Sequence, residues 1–114
     1  MILYHVTKER FVKKILRQGL RPRNIPRLEY GKTIKKYVFL TDRKGIRTIV
    51  DHWVGCYGKG RNAIILKVKV PTAWLDTTKK RMITYDNPYA AEYRVARVIP
   101  PSQIIDVITA CKDE

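Results

Sequence analysis

Three side chains in this sequence have the types and placement to do chemistry together, and each sits within or beside an apolar run. His5 follows Ile2-Leu3-Tyr4, Phe39 lies inside Tyr37-Val38-Phe39-Leu40-Thr41, and Glu92 opens Glu92-Tyr93-Arg94-Val95-Ala96-Arg97-Val98. An imidazole delivered by a strand just before a helix is well held for meeting a ligand, because rigid elements flank it on both sides. A ring on a strand can stack on a flat ligand, and a carboxylate can bind a cation or handle a proton. Each residue also has a plainer use. His5 can be a structural histidine at a strand end, Phe39 can be core, and Glu92 can be the ion-pair partner of Arg94 or Arg97.

The elements that must position these residues can be read from the spacing of apolar positions. After Ile2–Val6, a strand, Thr7 is expected to cap a helix with an apolar stripe at Phe11, Val12, Ile15 and Leu16. Lys8, Arg10, Lys13, Lys14 and Arg17 make its other face basic, and Gly19 followed by Pro22 marks its end. Residues 21–36, with two prolines and a glycine, read as a long basic loop carrying Arg21, Arg23, Arg27, Lys32, Lys35 and Lys36. Tyr37–Thr41 reads as a strand. Asp42 then caps a second helix striped by Ile46, Ile49, Val50, Trp53, Val54 and Tyr57. From Asn62 the pattern turns to strands: Leu66–Val70, a short one near Arg81–Thr84, Glu92–Val98, and Ile104–Ala110, with a single turn at Thr72–Leu75. Helices early and strands late indicate a single α+β domain spanning 1–114, with a largely antiparallel sheet.

Composition bounds the partners. Lys and Arg number 24 against 10 Asp and Glu, a net charge of +14, which favours an anionic partner, nucleic acid or a phosphate-rich ligand. The longest apolar run is the four residues Ala63–Leu66, so no membrane partner is expected and the chain reads as soluble and cytoplasmic. Cys56 and Cys111 give no disulfide framework and read as free thiols of a reducing compartment. His52 and Cys56, four apart, would be half a metal site with no second pair near them, so no metal is expected.

Taken in order, the blocks resemble the ADP-ribosyltransferase superfamily, in its poly(ADP-ribose) polymerase and diphtheria-toxin-like branch. LYHVT with the following basic helix and ILRQGL looks like the first motif. YVFLTD looks like the second, and AEYRVARVIPPSQI looks like the third. The order and spacing match from Leu3 to Ile105, and the opening is also similar to the "Y-H-x-T" of DNA-targeting ADP-ribosyltransferase toxins. The resemblance implies two packed, mostly antiparallel sheets split by a cleft that binds NAD as co-substrate, and two early helices.

Carried over residue by residue, the resemblance implies that His5 hydrogen-bonds hydroxyls of NAD and sets its pose, with Thr7 near a ribose. Phe39 falls on a tyrosine that stacks on nicotinamide, with Tyr37 or Trp53 as a second aromatic wall. Glu92 falls on the catalytic glutamate, whose carboxylate stabilises an oxocarbenium-like transition state. Arg94 shares the strand parity of Glu92 and would either bind pyrophosphate or pair with it. Val6 stands where the family commonly has glycine. The expected activity is transfer of ADP-ribose to nucleic acid, with residues 21–36 covering the NAD or the acceptor. Two other readings remain open: an NAD-dependent RNA 2′-phosphotransferase, and a degenerate transferase fold that binds nucleic acid or nucleotide without turnover.

Overall fold

The first strand, β1 (Ile2–Lys8), organises the molecule because both of its edges are used. On one side it pairs along seven residues with β5 (Ala63–Lys69), from Ile2↔Lys69 to Lys8↔Ala63, and on the other it meets β4 (Val38–Thr41) at Tyr4↔Thr41. The computed structural model describes residues 1–22, 28–29, 32–33, 37–43, 45–46, 63–76, 81–83 and 90–109. Within these, β2 (Leu28–Glu29) pairs β3 (Lys32–Thr33) as a small ribbon. β6 (Arg81–Ile83), β7 (Ala90–Val95) and β8 (Ile104–Thr109) complete a six-stranded sheet in the order β6-β7-β4-β1-β5-β8, antiparallel at every pairing.

The α+β class and the antiparallel sheet agree with the sequence reading. Where two packed sheets were expected, six of the described strands form one hydrogen-bonded sheet, and β2 and β3 form only the small separate ribbon. Its halves meet at the β1–β4 seam through a single registered pair, against seven between β1 and β5 and four between β4 and β7. The β1–β4 seam is thus the most sparsely registered pairing of the sheet.

Alternation on these strands sets the core. Leu3, Leu66 and Val68 from one half and Val38, Leu40 and Val95 from the other are buried together with Ile15 and Leu20. Ile15 belongs to α1 (Val12–Gln18), which lies over this face with Phe11 and Val12 packed beside it. The helix begins four residues later than a cap at Thr7 would place it. Thr7 instead continues β1 opposite Ile64, is buried, and is followed by one 3₁₀ turn at Glu9–Phe11. Extending a seven-residue ladder secures more backbone hydrogen bonds than an early cap would. Leu16, expected on the apolar stripe, is exposed because two turns of helix reach the sheet only with Ile15 and the residues before it.

The helix ends as its sequence indicates. Gly19 has φ +85°, and a side chain there would strike the Ile99 carbonyl, so the position accepts only glycine. That close approach lets Leu20 and Ile99 exchange backbone hydrogen bonds at 2.9 and 2.8 Å, fastening the helix end to the segment after β7. Asp42 acts as a cap: its Oδ1 accepts from the Gly45 N–H at 2.9 Å, and Arg43, Gly45 and Ile46 are helical. The rest of the expected second helix, with Trp53, His52 and Cys56, lies outside the described residues. So do Arg23, Arg27, Lys35 and Lys36 of the basic segment and Cys111. Lys32 stands on β3, so the segment expected to be loop contains a two-stranded ribbon.

β7 starts at Ala90, two residues before Glu92, and ends at Val95. The turn at Thr72–Trp74 and the strands at Arg81–Ile83 and Ile104–Thr109 fall where expected.

Candidate functional site

The loose β1–β4 seam opens on a cleft of about 700 Å³ bounded by β1, α1 and the start of β4. His5, Thr7, Tyr37 and Phe39 all line it, so residues more than thirty positions apart in sequence meet there. Its size is in the range of small-ligand sites.

His5 spans the seam. Its Nδ1 lies 2.8 Å from the Phe39 carbonyl oxygen. A carbonyl can only accept, so this bond requires the hydrogen on Nδ1 and makes Nε2 the acceptor of the neutral ring. The side chain thus does between β1 and β4 what a backbone pair does elsewhere in the sheet. Thr7 is buried at the same cleft, and Val6 lines it between them.

Tyr37, just before β4, and Phe39 on it share strand parity and meet edge to face, centroids 6.1 Å apart. The Tyr37 hydroxyl donates to Asp76 Oδ2 at 3.0 Å. Tyr37 is therefore tied back to the segment after the 3₁₀ turn at Thr72–Trp74, and the same Asp76 donates its N–H to the Arg94 carbonyl at 2.9 Å.

Glu92 and Arg94 stand on β7 directly across from Thr41 and Phe39. Both N–H groups that Arg94 sends to Glu92, from Nε at 3.3 Å and a terminal nitrogen at 3.1 Å, fall on one carboxylate oxygen. The Arg94 side chain is fully buried while that of Glu92 keeps 15% exposure. The guanidinium carbon also lies 5.7 Å from the Tyr37 ring centroid and 5.6 Å from that of Phe39. A desolvated cation would cost several kcal/mol, and a carboxylate and two ring faces offset that cost. Of the two roles open to Arg94 in the sequence, pairing with Glu92 is the one seen. Glu92 and Arg94 stand outside the cleft lining, and the Arg94 guanidinium lies against Phe39 and Tyr37, which belong to it.

The opposite wall of the cleft is cationic. Lys8, Arg10, Lys14 and Arg21 line it with Phe11 and Gln18, and the Arg10 guanidinium carbon lies 4.9 Å from the Phe11 centroid. Sequence reasoning had Lys8, Arg10 and Lys14 on a basic helix face and Arg21 in the basic loop, and the structure brings the four together on one cleft. Asp76 was missed altogether, since nothing in WLDTT distinguishes it from an ordinary turn carboxylate. Among the described residues no group of three or more His, Cys, Asp or Glu has the arrangement to hold a metal ion. Nor is any described helix long and apolar enough to cross a membrane.

Comparisons with protein-family models, with curated proteins and with solved structures found no match.

Proposed function

We propose that this protein is an NAD-dependent ADP-ribosyltransferase acting on nucleic acid, with a split antiparallel fold of that superfamily. The observation that carries the reading is the cleft at the β1–β4 seam. It gathers His5 and Thr7 of one motif and Tyr37 and Phe39 of the next, beside a cationic wall fit for phosphates. The single registered pair at the seam supports the split sheet.

In this reading His5 accepts a ribose hydroxyl proton at Nε2 while Nδ1–H holds it to the Phe39 carbonyl. Phe39 and Tyr37 supply the apolar wall for the nicotinamide ring. Glu92, one ring layer behind, stabilises the positive charge that develops on the ribose. The bond to nicotinamide breaks with its electron pair leaving on that base, the acceptor's nucleophilic atom bonds the ribose C1′, and the acceptor proton passes to Glu92. For this, the carboxylate must turn from Arg94 toward Phe39.

One observation favours a second reading, a nucleotide-binding module without turnover: Glu92 is held by Arg94 and lies outside the cleft. Incubation with NAD and separately with DNA, RNA or protein, followed by mass spectrometry, decides between them. Addition of ADP-ribose to nucleic acid, reduced at least ~100-fold in Glu92→Gln, is the expected result. NAD binding without product, or activity indifferent to Glu92→Gln, removes the catalytic assignment.

A further inference from the structure

Residues 8–21 hold six cations, Lys8, Arg10, Lys13, Lys14, Arg17 and Arg21, against one carboxylate, Glu9. Arg10, Lys13, Lys14, Arg17 and Arg21 are exposed. Their spacing works against the helix: Arg10 with Lys14 and Lys13 with Arg17 are like charges four apart, and Lys14 with Arg17 three apart. Each such pair destabilises a helix by a few tenths of a kcal/mol. In an element of seven residues, held by its packing and by the Leu20–Ile99 bonds past its end, that is a cost which the single carboxylate Glu9, four before Lys13, offsets only in part. A polyanion lying along the face removes it.

The face is continuous with the cleft. Arg10 and Lys14 belong to both, and Phe11 under the Arg10 guanidinium puts an aromatic surface among the cations at the cleft wall. Cations that track a backbone, with rings on which bases stack, are the elements of single-strand recognition. A cleft of about 700 Å³ admits an unstacked nucleotide and no duplex, so a base entering it must come from an open strand.

Resting on the nucleic-acid reading above, we infer that the exposed face Arg10–Lys13–Lys14–Arg17 docks the phosphodiester backbone of single-stranded nucleic acid and leads it past Arg21 into the cleft beside His5. The carrier is the outer side of α1, and of the segment 21–36 singled out in the sequence only Arg21 belongs to this path.

The test compares two double variants that each lower the net charge of +14 by two. Lys13→Ala/Arg17→Ala removes exposed charges from α1. Lys67→Ala/Lys69→Ala removes charges from β5, whose alternate residues Leu66 and Val68 face the core beneath α1, so that these lysines point to the other side of the sheet. Binding of labelled 12-nucleotide DNA and RNA strands, and of the duplex, is measured without NAD from 50 to 200 mM salt. Melting curves verify that each variant is folded, and Lys13→Arg/Arg17→Lys checks that charge is what matters.

The α1 variant is expected to lower the slope of log affinity against log salt by about 1.4 and to weaken binding ~20-fold at 0.1 M salt. The β5 variant and the charge-preserving variant are expected to stay within ~3-fold of the wild type. Equal weakening by both alanine variants, no weakening by either, or tighter binding of duplex than of single strand overturns the inference. A wild type that binds NAD but no oligonucleotide also overturns it, while leaving NAD use intact. Oligonucleotide binding that follows α1 in a protein indifferent to NAD upholds this surface and removes the transferase.

Discussion

Arg94 and the cations of α1 carry the same charge in opposite settings. Arg94 is fully buried between two rings and a carboxylate, and its guanidinium is spent on internal contacts. Lys13, Lys14 and Arg17 stand in water on a short helix that they do not stabilise. The first arrangement is the kind that fixes side chains in place, since neither partner can leave without stranding the other. The second is the kind that meets a ligand, since neutralising it costs no internal contact. A net charge of +14 contains both, and only position separates them.

The comparison is broken most forcefully at the buried pair. Glu92→Gln is expected to lose about 3 kcal/mol of stability by leaving the Arg94 guanidinium without its carboxylate, measured by urea unfolding. Arg94→Met should cost less, about 1–2 kcal/mol, because water reaches the partly exposed Glu92. The double variant Glu92→Gln/Arg94→Met should return to within ~1 kcal/mol of the wild type, since it removes both charges together and leaves only a neutral amide at the partly exposed position 92. Additive losses in this cycle would show that the two residues are not coupled, and the buried-pair account would fall. Activity separates the roles further: the double variant regains stability and stays inactive if Glu92 is catalytic. If Arg94 merely restrains the carboxylate, Arg94→Met alone retains transfer.

A second, smaller effect is expected at Gly19. Ala there must adopt φ +85° and push its methyl into the Ile99 carbonyl, so the exchange of hydrogen bonds between Leu20 and Ile99 has to open. A loss of about 2–3 kcal/mol and a matching fall in the melting temperature are expected. Because this junction fixes α1 near the cleft wall, oligonucleotide affinity should fall with it. Unchanged affinity in a destabilised Gly19→Ala would mean that α1 docks its ligand independently of its anchor.

How much of this was legible from residues can be seen at particular places. Strand alternation in Leu66–Val70, the glycine at 19 and the aspartate at 42 encode their outcomes locally and appear as read, although β5 begins three residues earlier, at Ala63, in a stretch buried on both faces. Thr7 misled because a capping residue and a strand residue look alike until the partner strand is known. It was β5, more than fifty residues away, that settled the matter by pairing as far as Lys8. A cleft was implied by the resemblance, but its place between β1, α1 and the start of β4 was out of reach of the residues alone for the same reason, since it depends on register between distant segments. The Glu92–Arg94 contact was legible as an alternative from their shared parity, whereas the rings that enclose Arg94 came only with the β4–β7 register.

His5 gives the smallest effect and the finest division, because the proposed function gives its two nitrogens different partners, the Phe39 carbonyl at Nδ1 and a ribose hydroxyl at Nε2. Asn at this position can keep a donor near the place of Nδ1 and so hold the Phe39 carbonyl, but it has nothing at the place of Nε2. His5→Asn should therefore stay within ~0.5 kcal/mol of the wild type, while His5→Ala, which loses the bond across the seam, should cost about 1 kcal/mol. Both are expected to weaken NAD binding about tenfold in calorimetric titration, the effect of one lost hydrogen bond to a ribose hydroxyl. If Asn binds NAD as the wild type does and only Ala is impaired, the imidazole serves the seam alone. His5 would then belong with Arg94 among the groups committed to the fold, and the cleft's recognition would rest on its cationic wall and its rings.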